Sequence, residues 1–209
     1  MRLNIKNILE TMKIMGEYLF PLKKITNKFK SINSKEELEN FVQERSAHVA
    51  QTTLYGYLKT RIGTRYALMV EDEKFSESIN IAKWNIYVAA ISDLTFYVFS
   101  YLIDKKNLKE NDSEKIFLNI LDKEFKSGLD KKIYENAKNG FIVKAKSINW
   151  HNYHLNNPFK ESGLALYKWS PIADELKVLD KEIVLNSIML KWNLVENEFK
   201  DLTKNLSFN

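Results

Sequence analysis

Seven apolar residues near the end of the chain recur at alternating spacings of three and four. They are Leu185, Ile188, Trp192, Val195, Phe199, Leu202 and Leu206. This spacing places all seven on one face of an α-helix, whereas a half-buried strand would alternate every second residue. The seam predicts a long C-terminal helix, beginning near Ser170 and ending near Leu206. Such a seam packs either inside its own bundle or against a second copy of the chain as a homo-oligomer.

Other segments also favour helices. Glycine and proline are scarce, at six and three residues of 209, and an all-β chain usually needs more turn residues. Ser34 and Glu37 are spaced as a capping box, which predicts a helix from there to about Arg61. Further helices are predicted over about 75–103, from Ser113 to near Gly128, and from there to about Lys138. Residues 84–103 are interrupted by polar side chains, so they are expected to form a buried core helix rather than a membrane span.

Apolar residues show no clear helical or strand periodicity over residues 140–169. The sequence therefore predicts an all-α, single-domain helical bundle with one long irregular loop at about 140–169. Two parts are expected, a basic amphipathic N-terminal helix or arm over residues 1–33 and a helical domain over residues 34–209.

The net charge of +5 is concentrated in the arm, which holds seven basic and two acidic residues. The remaining residues hold 25 of each sign and balance. Basic groups beside an apolar helical face are attracted to anionic surfaces, and anionic lipid is one such surface. The arm is therefore expected to bind an anionic membrane surface or another protein. The expected contact residues are Ile5, Ile8, Met12, Met15 and Leu19 on the apolar face, with Lys6, Lys13, Lys23 and Lys24 around it.

A second basic stretch, residues 138–169, combines five lysines and one acid with aromatic residues. Aromatic rings can stack on bases while lysines contact phosphates. RNA binding, as a component of a ribonucleoprotein particle, is therefore one alternative function. Against it, arginine is scarce in this stretch and no recognisable nucleic-acid motif is present.

The densest set of polar side chains lies on two predicted helices. Arg45, His48, Thr52 and Tyr55 share one helical face, and Asp93 and Tyr97 share another on the next long helix. If these helices pack antiparallel, Asp93 can meet Arg45 or His48. The cluster is then either a polar pocket in which His48 acts as acid or base, or a buried network that fixes the register of the helices.

Metal and nucleophile chemistry have little support in the sequence. His151 and His154 have the spacing of two metal ligands, but a stable site needs a third ligand, so a polar aromatic loop is the alternative. The chain has no cysteine, which excludes disulfides and thiolate chemistry and fits a reducing compartment. No glycine-rich phosphate loop or nucleophile elbow is present, and no cofactor is expected.

The segment from Phe41 to Trp84 resembles a family of small, poorly characterised bacterial helical proteins that are sometimes labelled esterase. The similarity is carried by residues 51–57, by Arg61 to Gly63, and by Phe75, Lys83 and Trp84. The resemblance implies a small hydrolase, but its motifs assign no catalytic residue in this chain.

These observations predict a cytoplasmic, helical binding or assembly protein that is peripheral at a membrane if the arm binds lipid. A small hydrolase with a pocket around His48 and Asp93 is the alternative enzyme, and RNA binding is the third possibility.

Overall fold

The computed structural model describes residues 29–109 and 111–206. It is 81% helical with no strands in those ranges, and six helices pack against each other, which confirms the all-α bundle. The six helices are α1 (Lys35–Ile62), α2 (Glu73–Lys106), α3 (Ser113–Lys126), α4 (Lys131–Ser147), α5 (Lys160–Trp169) and α6 (Asp174–Leu202). A 3₁₀ turn at Gly63–Arg65 and a short helix at Tyr66–Val70 connect α1 to α2.

The ends of α1 follow directly from the sequence. The Ser34 hydroxyl accepts a hydrogen bond from the backbone N–H of Glu37, and the Glu37 carboxylate accepts one from the backbone N–H of Ser34, both at 3.1 Å. This capping box satisfies two backbone donors that the first turn of a helix leaves unpaired. Gly63 ends the helix with φ +63°, a conformation that glycine adopts without steric cost.

Helix α2 is the centre of the bundle and packs against α1, α3, α4 and α5. It is long and apolar enough to cross a membrane, with a mean hydropathy of 1.6 over its most apolar window, but 78% of that window is buried inside the bundle. One such helix is weak evidence for a membrane span, because core helices of soluble proteins have the same composition. The burial agrees with the core helix that the sequence predicts here.

The prediction of a long irregular loop at about 140–169 is wrong in its extent. Helix α4 continues to Ser147 rather than ending near Lys138, and α5 occupies residues 160–169. Only residues 148–159 are irregular, and they contain a 3₁₀ turn at Tyr153–Leu155. The periodic signal is weak because α4 buries only Phe141 fully, and α5 buries the small residues Ser162 and Gly163 beside Leu166.

Helix α6 begins and ends within the predicted range. It starts at Asp174 rather than at Ser170, whose hydroxyl donates 2.7 Å back to the carbonyl of Leu166 and so belongs to the end of α5. It ends at Leu202 rather than near Leu206. Four seam residues, Ile188, Trp192, Val195 and Phe199, are buried in the core of this chain. They therefore offer no surface to a second copy.

Residues 29–33, which the sequence assigns to the arm, contact the bundle. Ile32 is 2% exposed, and its backbone N–H donates to the carbonyl of Leu202 at 3.3 Å. Phe29 packs edge-on against Phe41 of α1, with ring centroids 5.5 Å apart. The expected contact residues of the arm, from Ile5 to Lys24, lie outside the described residues.

Candidate functional site

The polar residues predicted to form one pocket belong to two separate clusters. On the α1–α6 side, Arg45 donates from Nε and Nη2 to the two carboxylate oxygens of Glu198, at 2.6 and 2.5 Å. The guanidinium also lies 4.9 Å from the ring centroid of Phe29. This paired geometry fixes both side chains, since the planar guanidinium matches a carboxylate in two places.

His48 lies beside this ion pair, at a surface cavity of about 240 Å³ that is also lined by Lys191, Leu194 and Val195. Burial lowers the pKa of His48, and the neighbouring charges of Arg45 and Lys191 lower it further, against an opposing effect of Glu198. Its imidazole is therefore held in the neutral form at neutral pH. Thr52 is exposed and donates to the carbonyl of His48 at 2.8 Å, so its hydroxyl is used within the helix.

The second cluster surrounds Asp93, which is fully buried on α2. Its Oδ2 accepts a 2.7 Å hydrogen bond from the backbone N–H of Ser162 in the first turn of α5. The ammonium of Lys144 on α4 lies 3.7 Å from Oδ1. Asp93 therefore meets Ser162 of α5 and Lys144 of α4 rather than Arg45 or His48.

The Asp93 cluster also reaches α6. The indole N–H of Trp192 donates to the Ser162 hydroxyl at 3.0 Å, and that hydroxyl lies 3.1 Å from the carbonyl of Phe159. Burial raises the pKa of Asp93 to about 7, although Lys144 and the Ser162 N–H favour the charged form. The Asp93 carboxyl joins α2, α4 and α5, and the Ser162 hydroxyl adds α6, which supports the network interpretation rather than a pocket.

The remaining two predicted site residues are tyrosines, of which Tyr97 is buried and Tyr55 is half-buried. Tyr97 is 1% exposed and packs among the rings of Tyr101, Phe159 and Phe199. Burial raises the pKa of Tyr97, and burial also raises that of Tyr55 to about 12, so both phenols stay protonated at neutral pH.

His154 belongs to a third cluster, which sequence reasoning missed. The Ser100 hydroxyl accepts from the His154 backbone N–H at 2.9 Å and lies 3.0 Å from Nδ1 of the same residue. Nε2 faces Asp104 at 3.6 Å. Since Ser100 and Asp104 are one turn apart on α2, their i, i+4 spacing was the available signal.

Ser100, His154 and Asp104 are the three residue types of a serine hydrolase triad, but their geometry is that of a structural contact. Ser100 is 0% exposed, and its oxygen already accepts a backbone hydrogen bond. A nucleophile must reach its substrate, and this hydroxyl has no exposed surface. His151 is exposed while His154 is buried, and the described part of the chain holds no group of three or more potential metal ligands.

The aromatic rings of the predicted RNA-binding stretch are largely used in the core. Trp150 and Tyr153 pack on Phe96, with centroids 5.6 and 5.5 Å away. Phe159 is fully buried and stacks on Trp192 at 4.3 Å. Trp169, at 37% exposure, is the ring of this stretch that offers most surface for base stacking.

Helix α6 carries a second apolar face, which the sequence analysis also missed. We call it the α6 stripe, and it consists of Leu176, Leu179, Ile183, Leu190 and Leu194, which are 40%, 74%, 68%, 66% and 65% exposed. At 100° per residue the five side chains fall within a narrow sector of the helix, away from the buried seam. The stripe borders the cavity beside His48, because Leu194 contributes to both.

Among known proteins, the chain matches no family model, no curated protein and no solved structure. The resemblance over residues 41–84 therefore stays a prediction. The geometry of the polar clusters and of the α6 stripe is the basis for a functional proposal.

Proposed function

We propose that this protein is a helical assembly protein that binds another protein chain through the α6 stripe. The observation that carries the proposal is the row of five large aliphatic side chains on one outward face of a 29-residue helix. Single exposed apolar residues are common on protein surfaces, whereas several large ones gathered on one outward face mark an interaction site.

The stripe is held rigidly for binding. Trp192 and Ile188, on the inner face of α6, are fully buried, and the indole of Trp192 is hydrogen-bonded to Ser162. Towards its end, α6 is tied to α1 by the Arg45–Glu198 pair. A partner would therefore meet a preorganised surface, and preorganisation lowers the entropic cost of association.

The polar clusters offer little to catalysis. Ser100 and Asp93 are inaccessible to solvent, and their hydrogen bonds tie α2 to the 3₁₀ turn at Tyr153–Leu155 and to α5. The hydrolase alternative would instead need His48 and Asp93 in one pocket, and they contact different helices.

A quantitative pull-down tests the proposal. The bait is full-length protein, either unchanged or carrying Ile183→Glu and Leu190→Glu, which place charges in the stripe at exposed positions. Val143→Glu is the matched control, because Val143 is 69% exposed on α4 and lies off the stripe. We expect proteins recovered by the unchanged bait to be lost with the double variant and kept with the control. Equal recovery by all three baits, each with an unchanged circular dichroism spectrum, would disprove the proposal.

A further inference from the structure

The cavity beside His48 carries more positive than negative charge. Its walls hold two cations, Arg45 and Lys191, one carboxylate, that of Glu198, and the half-buried imidazole of His48. Arg45 and Lys191 each lower the pKa of His48 by more than Glu198 raises it, so the potential at the imidazole is positive. A negatively charged group that enters the cavity is therefore attracted to it.

The carboxylate in the cavity wall is already paired. Both oxygens of Glu198 accept hydrogen bonds from Arg45, so the charges of these two side chains largely compensate each other. Lys191 is exposed on α6 and forms no hydrogen bond or ion pair with another residue in the ranges that the structure describes. The excess positive charge of the cavity therefore belongs to Lys191.

One ring nitrogen of His48 remains for a ligand. Nδ1 is buried and has no hydrogen-bond partner among the residues that the structure describes. Buried N–H groups without an acceptor are rarer than unpaired acceptors, so the hydrogen of the neutral ring belongs on Nε2. Since His48 lines the cavity, its Nε2–H is the donor that α1 offers there, and the Lys191 ammonium is the donor that α6 offers.

The size and the walls of the cavity limit what it can hold. Its volume of about 240 Å³ lies below the roughly 300 Å³ at which pockets for drug-sized ligands begin. Leu194 and Val195 form apolar walls, and walls of low dielectric strengthen the attraction between a ligand charge and the cations. These features fit a small anion rather than a large ligand.

We propose that the cavity between α1 and α6 binds a small oxyanion, a carboxylate or a phosphate group, through Lys191 and His48. The charged groups that face His48 are Arg45 on its own helix and Lys191 and Glu198 on α6. A bound anion stabilises the imidazolium, so it raises the pKa of His48 and binds more tightly as the pH falls. The site does not depend on the proposed protein-binding role, and it shares only Leu194 with the α6 stripe.

NMR spectroscopy of the imidazole groups tests the site, because the chain has three histidines and His48→Gln identifies the resonance of His48. Full-length protein is titrated at pH 7 with sodium acetate and, separately, with sodium phosphate, and chloride keeps the ionic strength constant. We expect a saturable shift of the His48 resonance with a dissociation constant of about 1 mM, while the exposed His151 moves little. Saturation by either anion supports the site, and the anion that binds more tightly identifies the ligand chemistry. A His48 resonance that shifts with neither anion would overturn the proposal.

Two lysine variants separate this site from general attraction to a chain of net charge +5. Lys191→Gln should weaken anion binding by at least about threefold, the effect of removing one exposed charge pair. Lys181→Gln is the matched control, because Lys181 is exposed on the same helix but lies about 15 Å further along its axis, beyond the Debye length of about 8 Å at physiological ionic strength. Equal weakening in both variants, or no weakening in either, would indicate an adventitious ion only and would overturn the proposal.

The pH titration of His48 gives a second readout. Saturating acetate should raise the midpoint of the His48 titration, and the affinity for acetate should increase as the pH falls through that midpoint. A carboxylate keeps its charge between about pH 6 and 8, so a change in this range comes from the protein. An unchanged midpoint in saturating acetate would show that the anion does not lie beside His48 and would contradict the proposal.

Discussion

At the scale of single residues, the sequence predicts that Asp93 needs a partner but not which one. An unpaired carboxylate in so apolar a helix would be very costly, and the structure supplies the Ser162 N–H and Lys144. The expected partners, Arg45 and His48, lie in another cluster. Periodicity shows which residues share a face of one helix, whereas the order of helices around α2 depends on long-range packing.

The raised pKa of Asp93 predicts a pH dependence of stability. Burial raises its pKa from 3.8 to about 7 in the folded protein. The folded state therefore holds a proton that the unfolded state has released between about pH 4 and 7. The resulting stabilisation is fully present below pH 4 and is lost as the pH rises through 7. Asp93→Asn keeps an acceptor for Ser162 but does not titrate.

We therefore expect the free energy of unfolding of the unchanged protein, relative to that of Asp93→Asn, to decrease from pH 5 to pH 8. The measurement is urea unfolding at several pH values. Asp174→Asn is the control, because the Asp174 side chain is 92% exposed and lies at the start of α6. Parallel profiles for the unchanged protein and Asp93→Asn would refute a raised pKa.

At the scale of helices, prediction succeeded where the signal is local. The capping box of α1 and the apolar seam of α6 are properties of neighbouring residues, and the structure confirms both helices. Helix α5 escaped prediction because its buried side is made of Ser162, Gly163 and Leu166. Gly163 lets α5 approach α6 closely, since a Cβ atom there would lie 3.2 Å from Leu185. Small residues that allow close packing of helices produce little apolar periodicity in the sequence.

The capping box gives a second stability prediction. Ser34→Ala removes the acceptor for the Glu37 N–H and should lower the free energy of unfolding by about 1 kcal/mol. Thermal or urea unfolding followed by circular dichroism measures the change. Ser78→Ala is the control, because the Ser78 hydroxyl donates only to a carbonyl in its own helix, that of Lys74. A loss of similar size in both variants would show that capping is not the cause.

At the scale of the whole molecule, composition and apolar periodicity predicted one helical bundle but not which apolar residues lie on its surface. The sequence does not single out the α6 stripe, because its spacing is broken between Ile183 and Leu190, whereas the seam that packs inside the chain has unbroken spacing. A 29-residue helix can carry two apolar faces, and the sequence alone does not say which face the bundle covers. Burial in the folded protein distinguishes the two.

The basic arm leads to a separate prediction about the intact chain. If residues 1–33 bind anionic lipid, full-length protein should co-sediment with anionic vesicles and not with neutral ones, and salt should weaken binding, since each lysine contributes roughly 1 kcal/mol. Replacing the arm lysines by glutamine should abolish the difference, while replacing the same number of exposed lysines on α3 and α4 should not. Binding that is unaffected by the arm changes would exclude this role. The two sets are Lys6, Lys13, Lys23 and Lys24 in the arm, and Lys115, Lys126, Lys131 and Lys132 in the bundle.

The hydrogen bond that Asp93 of α2 accepts from the first turn of α5 has a consequence for folding. The N-cap residue of α5, Phe159, has no side-chain acceptor for the backbone N–H groups of the first turn, and the helix is only ten residues long. Isolated helices of that length are marginal in water, so α5 depends on tertiary contacts to persist. Its first-turn acceptor comes from Asp93, 69 positions earlier in the chain. Because that acceptor lies on α2, we expect α5 to become stable only once it packs against α2.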